Sequence, residues 1–63
     1  MMEHIIGRWA VNGGGVIAKI TGIEGGCYVG TTLGGQKWQA QAPLLLRVEY
    51  AKVLDASLEA LGL

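Results

Sequence analysis

The sequence predicts a mainly β fold, a small antiparallel barrel of four to five strands followed by a C-terminal α-helix. Three observations point there. Glycine clusters at Gly13-Gly14-Gly15, Gly25-Gly26 and Gly34-Gly35 cut the first two thirds of the chain into short apolar segments. Glycine reaches φ > 0 without steric cost, so such clusters between β-branched and aromatic runs mark tight strand connections. The runs themselves alternate with period two, and after Pro43 the apolar period lengthens to that of a helix.

The first strand is expected from Ile5 to Val11, with Trp9 and Val11 on one face and Arg8 and Ala10 on the other. Asn12-Gly13 supplies its turn, because both residue types tolerate left-handed backbone angles, and the extra glycines allow a longer or bulged connection. Val16 to Ile23 is apolar on both faces and therefore reads as the central strand. Gly22 inside it marks a bulge or tight bend. Glu24-Gly25-Gly26 ends it, Cys27 to Leu33 forms a third strand, and Gln36 to Gln41 a fourth, with Trp38 and Ala40 inward and Lys37, Gln39 and Gln41 in water.

Pro43, which has no N–H to donate, stops the fourth strand. The stretch Leu44 to Tyr50 reads either as a last strand or as the opening of a helix with proline in its first turn. From about Ala51 to Leu61 the spacing favours a helix, with Gly62 as its C-terminal cap. The expectation is one domain over 1–63, with the barrel at about 5–50 and the helix at about 51–61.

A chain of 63 residues buries only about 60% of the surface its unfolded form exposes, so its core needs a supplement. Cys27 is the only cysteine and His4 the only histidine. One thiol forms no internal disulfide, and one histidine beside it cannot assemble a four-ligand zinc site, so no metal or cofactor is expected. His4 reads as a solvated residue near the terminus and Cys27 as a small buried apolar one. Self-association is the remaining supplement. It suits a chain that is 51% hydrophobic and 16% charged with a mean hydropathy of +0.38, since apolar surface should be left over. The candidate association surface is the C-terminal stripe Leu46, Tyr50, Val53, Leu54, Leu58 and Leu61, with packing of that stripe on the chain's own sheet as the competing reading. Glu49, Lys52, Asp55 and Glu59 read as the solvated side of the helix.

Five Lys and Arg balance five Asp and Glu, so no basic field advertises nucleic acid as a partner. A local patch of Arg8, Trp9, Lys19 and Lys37 is the candidate site for a ligand or nucleic acid. Trp9, beside Arg8, is the aromatic expected at the surface, whereas Tyr28, Trp38 and Tyr50 are expected to contribute to packing. Gly13-x-Gly15-x-x-Ala18 fits a dinucleotide fingerprint by spacing alone, but strand-like residues follow it where that motif needs a helix. There is no run of 18 apolar residues and no signal-peptide layout, so the expected location is the cytoplasm, with no membrane partner.

An early strand carrying Gly7-Arg8-Trp9 and a late Trp38-x-Ala40-x-Ala42-Pro43-Leu44, set among glycine-turned strands, resemble SH3-like small barrels. Val16-Ile17-Ala18-Lys19-Ile20-Thr21-Gly22-Ile23-Glu24-Gly25-Gly26 is similar to the strand and glycine loop of a KOW motif, which in transcription and ribosomal proteins supports contacts to RNA or protein. Of the basic residues usual around that loop, only Lys19 is present. The architecture is also similar to the plasmid-borne type II dihydrofolate reductases. Their pore motif Val-Gln-Ile-Tyr does not occur here, so that resemblance implies assembly of several copies and not the activity.

Together these readings give a non-enzymatic interaction module that self-associates, of a brevity and glycine richness that suit a mobile element. A nucleic-acid-associated adaptor using the basic and aromatic patch is the alternative. An enzyme with its site on an oligomer symmetry axis is a third reading, for which no acid, base or nucleophile set is evident.

Overall fold

The computed structural model describes residues 5–62. Five strands, β1 (Trp9–Val11), β2 (Ile17–Glu24), β3 (Cys27–Thr31), β4 (Lys37–Ala40) and β5 (Leu44–Leu45), precede one helix, α1 (Val48–Ala60). All pairings are antiparallel, in the spatial order β4-β3-β2-β1-β5. β2 is the middle strand, as its two apolar faces predict.

Glycines set the connections, though not always the ones the turn rules favour. In the β1–β2 loop Asn12 N–H donates to the Val16 carbonyl (3.1 Å) and Gly15 N–H to the Asn12 carbonyl (3.0 Å). The left-handed residue is Gly15 (φ 78°), while Asn12 and Gly13 keep negative φ. The loop is thus a three-residue connection ending in a left-handed glycine rather than a two-residue Asn-Gly turn. Asn12 contributes through its side chain instead, its Oδ1 accepting from the N–H groups of Gly14 and Val16 at 3.0 Å each. The β3–β4 loop repeats this design twenty residues later, with Thr32 in the place of Asn12 and Gly35 (φ 82°) in that of Gly15. Between β2 and β3, Gly25 (φ 57°) and Gly26 (φ 79°) form the two-residue turn that a right-twisted hairpin prefers.

Ile5 to Arg8 is not strand. Arg8 N–H donates to the Ile5 carbonyl (3.0 Å) and Gly7 takes φ 93°, which folds Ile5 back into the core. In β2 the register slips between Ile20, opposite Gly30, and Gly22, opposite Val29, leaving Thr21 as the extra residue of a bulge. Such a bulge bends its strand. The close approach that bend produces falls on Gly30, where a Cβ would collide with the Lys19 carbonyl and lie 3.2 Å from the Ile20 Cα.

The sheet is open: no ladder joins β4 to β5, so the expected closed barrel is not formed. It is nonetheless strongly rolled. Strands in a flat sheet lie about 4.8 Å apart, which would hold β4 roughly 14 Å from β1. Yet the Asn12 side chain, at the end of β1, reaches the Gln39 carbonyl on β4 (3.4 Å), and the Trp38 indole N–H donates to the Val16 carbonyl (2.8 Å). Side chains span a gap that main chain does not. With only two residues after Pro43, β5 is too short to complete a seam.

The rows Leu45–Ala10–Ala18 and Ile20–Gly30–Trp38 share the concave face. There Ile5, Ala10, Ala18, Ile20, Trp38 and Ala40 form the core, with Tyr28 and Leu45 packed against it. Small residues on the inner strands leave the volume that the Trp38 indole occupies.

The helix begins at Val48, three residues earlier than expected, and Leu44–Leu45 is strand, which resolves the ambiguous stretch. Gly62 (φ 78°) follows the C-cap Leu61 and donates to the Glu59 carbonyl (3.0 Å), the expected glycine stop. Among the described residues no helix is long and apolar enough to cross a membrane.

Candidate interaction surface

The apolar stripe divides between the inside and the outside of the molecule. Leu54 is buried and so belongs to the chain's own packing, while Leu58, one turn on, is half-buried. Tyr50, Val53 and Leu61 are 54%, 64% and 60% exposed. Leu46, just before the helix, is half-buried. The band is wider than the strip of sheet available to it, and residues three and four apart share a helix side, so whichever side faces the sheet leaves the other in water.

The orientation is fixed by a polar node that the sequence reading assigned to solvent. Asp55 Oδ1 accepts from the Trp9 indole N–H at 2.9 Å and from Lys19 Nζ at 3.1 Å. Trp9 and Lys19 face each other across β1 and β2, so a single carboxylate ties the helix to both strands. The Trp9 hydrogen bond, followed by that of Lys19, lowers the Asp55 pKa; desolvation opposes them, and the charge of Lys19 adds a smaller lowering. A charged acceptor is the stronger partner for the indole N–H.

This geometry relocates the proposed basic and aromatic patch. Trp9 is only 1% exposed, contrary to the surface position expected of it. β1 is buried on both faces, Ala10 in the concave core and Trp9 beneath α1, so lying next to Arg8 does not put the indole in water. Arg8 Nη2 donates to the Leu46 carbonyl at 3.2 Å. Of the four residues, three therefore hold the C-terminal segment to the sheet. Lys37 is exposed, in register with Thr31 and, through it, with Lys19 on the outer face.

The exposed half of the stripe continues into β5. Leu45, Leu46, Arg47, Glu49, Tyr50 and Val53 line an open groove of about 480 Å³. Leu44 (71% exposed) and Val48 (57%) are the chain neighbours of lining residues and are themselves in water. Leu45 and Arg47 on the lining, with Leu44 and Val48 next to them in the chain, are the residues that sequence reasoning missed, and Glu49 was assigned to the solvated side. Their signal was present in the run Leu44-Leu45-Leu46-Arg47-Val48, but strand and helix turn the same run in different directions.

A second, more polar cleft of about 540 Å³ lies against the bulge, lined by Thr21, Glu24, Val29, Thr31, Lys37 and Gln39 among others. It contains no histidine or cysteine and no paired carboxylates. Cys27 is a free, half-buried thiol rather than a fully buried one. No cluster of three or more potential metal ligands occurs among the described residues, and His4 lies outside them. No family model matches the chain, and neither a curated protein nor a solved structure is significantly similar to it.

Proposed function

We propose that the chain is a small non-enzymatic protein-interaction module that associates with further copies of itself through β5 and the outward side of α1. One observation carries this reading: Tyr50 and Val53, each more than half exposed, line a groove with Leu45 and Leu46, and the similarly exposed Leu44 and Val48 adjoin its lining residues in the chain. Covering apolar surface contributes about 25 cal/mol per Å². A standard interface takes about 800 Å² from each partner, on the order of a fifth of this chain's 4367 Å². β5 adds a sheet edge whose far side has no ladder partner, a feature that favours pairing with another chain.

The strand order, in which the last strand returns beside the first, together with the bulge and the roll of the sheet, supports kinship with SH3-like small barrels, here with an unclosed seam. The adaptor reading gains no comparable support, since its stacking tryptophan is covered and Lys37 alone of its basic residues makes no bond to the C-terminal segment.

Light scattering or sedimentation across the micromolar range tests the proposal. Assembly that increases with concentration and is weakened at least tenfold by Val53→Glu, with strand content unchanged by circular dichroism, is the expected result. A variant that associates as strongly as the wild type would remove this surface from the account.

A further inference from the structure

The groove carries one charge of each sign. Arg47 and Glu49 are both exposed on its lining, and neither forms an ion pair among the described residues, where the salt bridge is Lys19–Asp55. Arg47 occupies the N-cap position of α1 and makes no side-chain capping bond. A helix N-terminus favours negative charge, so this guanidinium gains nothing from its own helix end. Four apolar side chains on the same lining, Leu45, Leu46, Tyr50 and Val53, need a cover that is itself apolar.

An acidic segment would satisfy Arg47 and repel Glu49; a basic one would do the reverse. A mainly apolar groove that carries one cation and one anion can complement itself when turned about a two-fold axis, each charge meeting its opposite. In such an isologous contact residue i of one copy meets j of the other, and j meets i. We infer that the occupant of this groove is a second copy of the chain, docked about a two-fold axis so that Arg47 of each copy pairs with Glu49 of the other. This rests on the self-association reading and adds its geometry. The contact uses the same patch on both copies and closes on itself, so this surface produces a dimer and not an open filament.

Charge exchange tests the pairing. Arg47→Glu and Glu49→Arg each replace two attractive contacts of the dimer with two repulsive ones, and either alone should weaken association by roughly tenfold or more. An equimolar mixture of the two variants should recover it as a heterodimer, because one chain then offers two acids to the two bases of the other. The double variant R47E/E49R should recover a homodimer. Both positions are exposed, and circular dichroism checks that each variant retains the fold. Single variants that dimerise like the wild type, or a mixture no stronger than its components, would overturn the reciprocal pairing while leaving self-association standing. A wild-type chain that is monomeric would overturn the self-association reading and this pairing with it.

Discussion

The two faces of the sheet are sealed by different means. On the concave side the seal is steric: Trp38 lies over alanines and Gly30, its indole N–H is satisfied by the Val16 carbonyl, and the cluster is closed by Ile5 and Ile20. On the outer side the seal is a helix held by a polar node, Asp55 with Trp9 and Lys19, and by one buried leucine, Leu54. The first arrangement uses up its apolar residues. The second leaves Tyr50 and Val53 facing water. A small sheet can bury its own interior, but a helix laid across it has a second side, and there Val48, Tyr50 and Val53 are left more than half exposed.

The contrast predicts graded effects. Gly30→Val, on the steric side, should be the most damaging change, since any Cβ there meets the Lys19 main chain, which cannot move without breaking the β2–β3 ladder. A loss of about 3 kcal/mol or more is expected, read as a fall in the urea midpoint or an unfolded chain.

Leu54 and Val53 are adjacent in sequence and opposite in role. Leu54→Ala should lower stability by about 2–4 kcal/mol, as buried leucine truncations do. Val53→Glu should change stability by no more than about 0.5 kcal/mol while dissociating the assembly. Denaturation and solution mass, measured on both, separate the chain's own packing from its outer surface. If Val53→Glu unfolded the monomer, the division of the stripe drawn here would be wrong.

The polar node should respond to acid where the steric core does not. The folded Asp55 pKa is lowered below its ordinary 3.8, so its stabilising contribution is present above that value and is lost as pH falls through the folded pKa. As pH falls through that lowered pKa the helix should loosen from Trp9, detected as a change in tryptophan emission. Asp55→Asn should remove that transition from the acid limb. Smallest of all, Lys37→Ala, on an exposed outer position with no bond to the helix, should alter stability by no more than about 0.5 kcal/mol and leave association unchanged.

The strands and turns were readable because glycine reports local backbone geometry. Gly25-Gly26 and the bend near Gly22 are where the sequence places them. Gly30 was not readable as a constraint. Its need for a missing Cβ arises from the approach of Lys19 on another strand, which no local pattern encodes. The early start of α1 was hidden because Arg47 is not a capping residue type. Trp9 was misplaced because alternation along three residues cannot say that a helix forty-six residues later covers the second face. The same non-local bond decides which half of the apolar stripe turns inward. Periodicity reveals that such a stripe exists, and only the position of Asp55 tells Leu54 from Val53.

The most direct check is the mass of the wild-type chain by sedimentation equilibrium from low to high micromolar concentration. The exposed β5–α1 surface predicts a reversible rise from the 6.6 kDa monomer toward twice that mass. A single 6.6 kDa species at every concentration would mean that Leu44, Val48, Tyr50 and Val53 remain in water with no second copy to cover them.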